Sequence, residues 1–300
     1  MQRRDFLQDL AAFSVLTAGV PNIWRVTTLP KLADNPFALG VASGDPTPTS
    51  VVLWTRLSPK LYEPMGGMDG SRVTLNWDVA EDEQFAKIVQ RGRATAVPEL
   101  GYSVHVDVQG LQPDRWYFYR FTLPAGSSPI GRTRTAPAAD ALTPLRFAFV
   151  SCQHYETGYY TAYQHLAAEQ KLDLVAHLGD YIYETGTPAG RIRQHQGGLV
   201  RTLEQYRARY AQYKSDPHLQ AAHASAPWMV IWDDHEVVND YAGDRGYIAA
   251  LAARVQAHWA ANGRGERLVP SRPRPGGHHR LRGRADDQGF VAPISPSPAP

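Results

Sequence analysis

Between Asn35 and Pro137 apolar and polar positions alternate with period two. Val73, Leu75, Trp77 and Val79 are interleaved with Thr74, Asn76 and Asp78, and Tyr102, Val104, Val106 and Val108 with polar partners. Such alternation buries one face of a strand and leaves the other in water. Turn signals at Gly44-Asp45-Pro46, Gly66-Gly67 and Gly126-Ser127 divide the stretch into several short strands. Together they predict an antiparallel β-sandwich over residues 35–137.

Past Pro144 the rhythm changes. Continuous apolar runs at Leu145–Val150, Leu174–Leu178 and Trp228–Trp232 read as strands buried on both faces, separated by helical stretches near Tyr160–Gln170 and after Thr202. Thr202-Leu203-Glu204-Gln205 has capping-box spacing, and Leu203, Tyr206, Tyr210 and Tyr213 fall on one helical face. A further helix is predicted over Ile248–Trp259. Strands alternating with helices imply right-handed crossovers and a parallel sheet over residues 144–262. The Arg-, Pro- and Gly-rich segment 263–300 has no apolar period and is predicted to be a disordered tail. In the first half, Leu111-x-Pro113-x-x-x-Tyr117-x-Tyr119 resembles the tyrosine corner of fibronectin-like sandwiches.

Composition narrows the function classes. At 43% hydrophobic and 20% charged residues the chain is globular, and 31 basic against 29 acidic side chains leave a net charge of +2. There is no global field to gather nucleic acid, so any anionic ligand needs a local site. The single cysteine, Cys152, excludes an internal disulfide and a Cys-rich zinc module. No apolar run is long enough for a stable membrane span. Residues 1–30 carry Arg3-Arg4-Asp5-Phe6-Leu7 before a short apolar run, the form of a twin-arginine signal, whose partner is the twin-arginine translocation machinery. That predicts an exported protein, periplasmic or extracellular.

The candidate chemistry lies where the parallel strands end, because loops and helix N-termini converge there. The first ends in Ser151-Cys152-Gln153, the second in Gly179-Asp180-Tyr181-Ile182-Tyr183-Glu184, the third in Asp233-Asp234-His235-Glu236-Val237-Val238-Asn239-Asp240. Carboxylates, a phenol, an imidazole and a thiol gathered at one rim repel one another or are desolvated unless cations neutralise them. A polynuclear metal site is the economical explanation. A zinc-protease reading fails, since the second His it needs four positions after His235 is replaced by Asn239.

These motifs, with Asn35-Pro36-Phe37-x-x-Gly40-Val41-Ala42-Ser43-Gly44-Asp45-Pro46 and Val51-Val52-Leu53-Trp54-Thr55-Arg56-Leu57 upstream, resemble those of the PhoD-type alkaline phosphatases of the calcineurin-like metallophosphoesterase superfamily. The resemblance covers about residues 1–250 and several motifs in order. It implies a β + α/β fold: an N-terminal fibronectin-like antiparallel β-sandwich followed by an incomplete metallophosphoesterase α/β domain. It also implies ferric iron with calcium, Fe3+ and Ca2+, whose hardness suits phenolate and carboxylate oxygen. Carried across, Cys152, Asp180 and Tyr183 would ligate iron, and Asp180 would bridge to calcium. Asn239 and a carboxylate of Asp233 or Asp234 would serve the calcium side. His235 would contact the phosphate or protonate the leaving alkoxide. The substrates implied are small phosphate monoesters and diesters. Arg191 and Arg193 read as solvated surface side chains before phosphate ligands.

Relatives of this type run further and carry a late Gly-Asp-x-His-type motif, which this sequence lacks. After about Arg254 the family character gives way, as in a truncated or frameshifted reading frame. The expectation is weak metal binding, hydrolysis far below that of a full-length relative, and an uncovered apolar sheet face prone to aggregation. The competing reading is a non-catalytic exported binding protein with a degenerate metallophosphatase domain.

Overall fold

A computed structural model describes residues 35–169, 171–186 and 190–240. The twin-arginine segment 1–30, the helix expected over Ile248–Trp259 and the tail 263–300 lie outside the described residues.

The alternating half forms β1 (Val41–Gly44), β2 (Ser50–Arg56), β3 (Val73–Ala80), β4 (Ile88–Ala96), β5 (Ser103–Gln109), β6 (Trp116–Leu123), β7 (Gly126–Ser127) and β8 (Gly131–Arg134). One sheet runs β4-β3-β6-β7, with β8 also on β6, and faces the antiparallel set β5-β2-β1. Between them Leu53, Val73, Leu75, Val104, Tyr119 and Phe121 form the core, the inward positions of the period-two pattern. The tyrosine corner is present: the Tyr117 hydroxyl accepts the Gln112 backbone N–H at 2.9 Å.

The second half supplies β9 (Phe147–Val150), β10 (Leu174–His177) and β11 (Trp228–Val230), with α1 (Thr161–Ala168), α2 (Leu203–Lys214) and α3 (Pro217–Ser225) in the crossovers. The three strands are parallel, as the β-α-β rhythm predicts. Strand β9 starts two residues after Leu145, while β10 and β11 stop one and two residues short of Leu178 and Trp232, where the chain turns into the polar loops. The predicted capping box starts α2: Thr202 Oγ1 accepts from Gln205 N and Gln205 Oε1 accepts from Thr202 N at 3.0 Å.

Sequence pattern divided the chain into two halves, yet both share one sheet of order β5-β2-β1-β11-β10-β9. The joint is a parallel pairing of Gly44 with Trp228. All three helices contribute to a core on one face of the parallel strands, built on Tyr163, Val175, Tyr213, Leu219 and the fully buried Trp228. On the opposite face Phe147 is 56% and Phe149 69% exposed on β9, which is an edge strand among the described residues.

Candidate metal centre

The loops after β9, β10 and β11 lie side by side because their strands are hydrogen-bonded neighbours. The first two are zipped by backbone bonds, Cys152 N to Gly179 O at 3.1 Å and Gln153 N to Asp180 O at 3.1 Å. The third presses against Gly179, whose φ is +102°. A Cβ there would lie 2.5 Å from that of Asp233, so glycine is required both for conformation and for close approach. Cys152 (φ 54°) and Asp180 (φ 55°) both adopt the left-handed conformation, which costs a non-glycine residue energy.

Two buried groups fix these loops. Gln153 donates from Nε2 to Tyr181 O at 2.7 Å and accepts the Tyr163 hydroxyl at Oε1. Glu236 accepts Tyr181 N at 2.5 Å and Asp233 N at 3.0 Å, so one carboxylate bridges the second and third loops. Burial raises its pKa despite those donors.

Asp180, Asp234 and His235 each offer a ligand atom within 4.8 Å of the others. Asp180 is buried; its Oδ2 accepts the Tyr183 hydroxyl at 2.9 Å, while its Oδ1 is buried with no hydrogen-bond partner. Burial, then Asp180, then the nearby Cys152 thiol push the Tyr183 phenol far up. Asp180 therefore joins two sets, one with Tyr183 and Cys152 and one with Asp234 and His235. Asp233 is exposed and outside the tight cluster; burial, Asp180 and Asp234 raise its pKa. Asn239 sits on the same turn, its side-chain amide donating to Asp240 Oδ2 at 2.7 Å.

His235 packs at a tilt against Tyr183 with centroids 4.1 Å apart, and His154 packs against the same phenol at 4.2 Å. The Nδ1 of His235 pairs with Glu184 Oε2 at 2.8 Å. Burial opposes charging this imidazole, but the Glu184 bond together with Asp180 and Asp234 raises its pKa above the ordinary value. Glu184 also accepts Asn239 N at 2.9 Å, clamping both ends of the third loop. Glu184, Glu236, Gln153 and His154 had no role in the sequence reading. Three of them, all but His154, stand inside the quoted motifs, but their importance comes from burial, which linear pattern does not encode.

The solvated reading of Arg193 is corrected. Its guanidinium pairs with Asp216 at 2.5 Å and stacks 3.8 Å from the Tyr155 ring, fixing the Gly/Arg loop to α3. Arg191 is exposed, and its charge helps depress the pKa of His154 after burial, the larger cause.

A model of PhoD-like phosphatase matches residues 147–263, which contain every side chain of this cluster, and a model of the PhoD-like phosphatase N-terminal domain matches residues 25–137. The chain belongs to the PhoD-like phosphatase family. It is 47% identical over 278 residues to alkaline phosphatase D of Bacillus subtilis (strain 168), a match covering 86% of this chain and 47% of that protein. A solved structure of PhoD superposes with a TM-score of 0.72 at 48% identity, covering 81% of this chain and 49% of that one. The chain thus spans about half the length of these relatives. A shorter similarity, 32% over 94 residues, is to ferrochelatase of Xanthomonas axonopodis pv. citri (strain 306) and covers 28% of that protein.

The PhoD-like cluster fits a hard cation. Like charges on Asp180, Asp233 and Asp234 crowd one another, and the unpartnered Asp180 Oδ1 lacks the donor that a buried carboxylate needs. A cation supplies both neutralisation and a partner. Among the described residues no helix is long and apolar enough to cross a membrane.

Proposed function

We propose that this PhoD-like chain is an exported, metal-dependent phosphoesterase acting on small phosphate monoesters and diesters. The observation that carries the proposal is the convergence of Asp180, Asp234 and His235 within 4.8 Å around a buried, unpartnered carboxylate oxygen. In this reading Cys152, Asp180 and Tyr183 hold Fe3+, and Asp180, Asp234 and Asn239 hold Ca2+, with the exposed Asp233 at the rim. Bound ions of this charge would offset the phosphate oxygens and acidify a water for attack.

The protein's own groups do the rest. Glu184 holds the Nδ1 of His235, which leaves Nε2 to face an ester, and the raised pKa keeps a proton available for the leaving alkoxide. The ring of Tyr183, packed against both His154 and His235, is restrained from swinging away from Asp180. Export through the twin-arginine machinery, with the sandwich 35–137 buttressing a catalytic domain over 144–262, completes the proposal.

The test is metal analysis with hydrolysis of a chromogenic phosphate ester, for wild type and Asp180→Asn. Asparagine tolerates the left-handed backbone, so the change removes charge without adding strain. We expect iron and calcium bound by the wild type, turnover abolished by chelators, and both lost in the variant. Stripped of metal, Asp180→Asn should be more stable by about 1–3 kcal/mol, the cost of an unsatisfied buried carboxylate. Turnover that survives chelation, or a variant equal to wild type, overturns the proposal. A protein with neither metal nor turnover would favour the non-catalytic binding reading.

A further inference from the structure

The inner face of α2 is polar where a sandwiched helix is usually apolar. Tyr206, Arg209, Gln212 and Tyr213 are all buried, and each reaches backbone of a loop. Tyr206 donates to Val237 O in the third site loop. Arg209 donates to Tyr183 O and to Thr185 O. Gln212 accepts Gln196 N at 3.1 Å and donates to Gln194 O at 2.9 Å.

Tyr213 is the most constrained of the four. It is 0% exposed, and its hydroxyl accepts Tyr155 N at 3.2 Å and Tyr183 N at 3.1 Å. A phenol has two acceptor sites and one proton. Both acceptor sites are taken, so the proton goes to His195 Nε2, 2.9 Å away. His195 is then neutral with its hydrogen on Nδ1, where Thr185 O accepts at 3.1 Å; the Arg209 Nη1 that lies 3.2 Å from this Nδ1 already spends its two hydrogens on Tyr183 O and Thr185 O. This tautomer follows from counting donors and acceptors. His195 N is in turn held by Glu156 Oε1 at 2.7 Å.

We infer that Tyr213 is a positioning residue for the candidate metal centre, its one hydroxyl locking the loops after β9 and β10 together at Tyr155 and Tyr183 and fixing His195 in a single tautomer. The inference rests on the reading of Tyr183 as an iron ligand. Tyr213 touches neither metal nor substrate. It sets the backbone from which the Tyr183 phenol projects toward Asp180, and outer-shell tethers of this kind change metal affinity without being ligands.

The test titrates the full chain with ferric nitrilotriacetate and follows the visible ferric–phenolate band together with thermal melting. Tyr213→Phe should weaken ferric binding by about 10- to 100-fold. Tyr117→Phe removes a comparable buried hydroxyl in the sandwich; it should lower the melting temperature and leave the titration unchanged. His195→Gln keeps an acceptor for the Tyr213 proton and should bind iron like wild type, whereas His195→Leu should behave like Tyr213→Phe. The His195 pair decides the matter if Tyr213→Phe does not fold. The inference is overturned if Tyr213→Phe titrates like wild type, if Tyr117→Phe loses as much affinity, or if the two His195 variants coincide. If Tyr183→Phe keeps the band, or wild type never shows one, the iron-ligand reading fails and takes the inference with it.

Discussion

At the scale of single residues, the behaviour of the site loops turns on buried polar groups and their partners. Three buried histidines are held neutral. Burial, then Lys214, lowers His177 to about 3, and burial, then Arg209, lowers His195 to about 4. Burial, with Lys214 and His177, keeps His223 well below its ordinary value. In the unfolded chain each takes up a proton near pH 6.5. As pH falls below that, the unfolded state binds protons the folded state refuses, so stability drops; the loss from His195 ends near pH 4, where the folded form also charges. Each such histidine contributes a slope of about 1.4 kcal/mol per pH unit within its window. Urea midpoints of the metal-free protein should therefore fall steeply between pH 6.5 and 4.5. His195→Gln, which does not titrate, should flatten that fall, and an unchanged profile would contradict the assignment of His195 as neutral. The same accounting explains why the corrected Arg193 is structural: its Nη1 pairs with Asp216, its Nε donates to Tyr155 O and its guanidinium lies over the Tyr155 ring.

At the scale of elements, α2 and β9 show opposite departures from simple amphipathicity. The tyrosine face of α2 was legible as a helical stripe, and its capping box formed where Thr202 and Gln205 predict it. That the stripe serves to tether loops was not legible, because a phenol in a helical pattern looks the same whether its hydroxyl is satisfied by water or by backbone. Strand β9 reads as an apolar run buried on both sides, but only Ala148 and Val150 pack against the helices, while Phe147 and Phe149 are exposed together with Leu178, at 41%. A bare apolar face on an edge strand favours self-association. Phe149→Lys should shift sedimentation of the purified chain toward monomer with little change in melting temperature. If aggregation persists unchanged, this face is not its cause.

At the scale of the molecule, the shared six-stranded sheet binds the two sequence-defined halves. Side chains reinforce the joint: Arg56 donates to both Gly101 O and Arg207 O at 2.9 Å, and Arg132 donates to Ser225 O at 3.0 Å. Gln220 reaches Ala38 O at 2.8 Å, and Arg134 pairs with both Asp114 and Asp173. Such coupling predicts one cooperative transition, with amide protection in β2 and β10 lost at the same urea concentration by hydrogen-exchange mass spectrometry. Two separated midpoints would show independent domains instead. The sequence by itself determined the order of sandwich and parallel strands, the capped helix after Thr202 and the polar residues at three strand ends, because side-chain period and turn chemistry are local properties; the separate helix Pro217–Ser225 was not read from it. Only the tertiary structure decided that Asp234 rather than Asp233 joins Asp180 and His235, that Glu184 and Glu236 clamp the loops, and that both halves share a sheet. Those outcomes depend on burial and on hydrogen-bond valence between segments far apart in the chain.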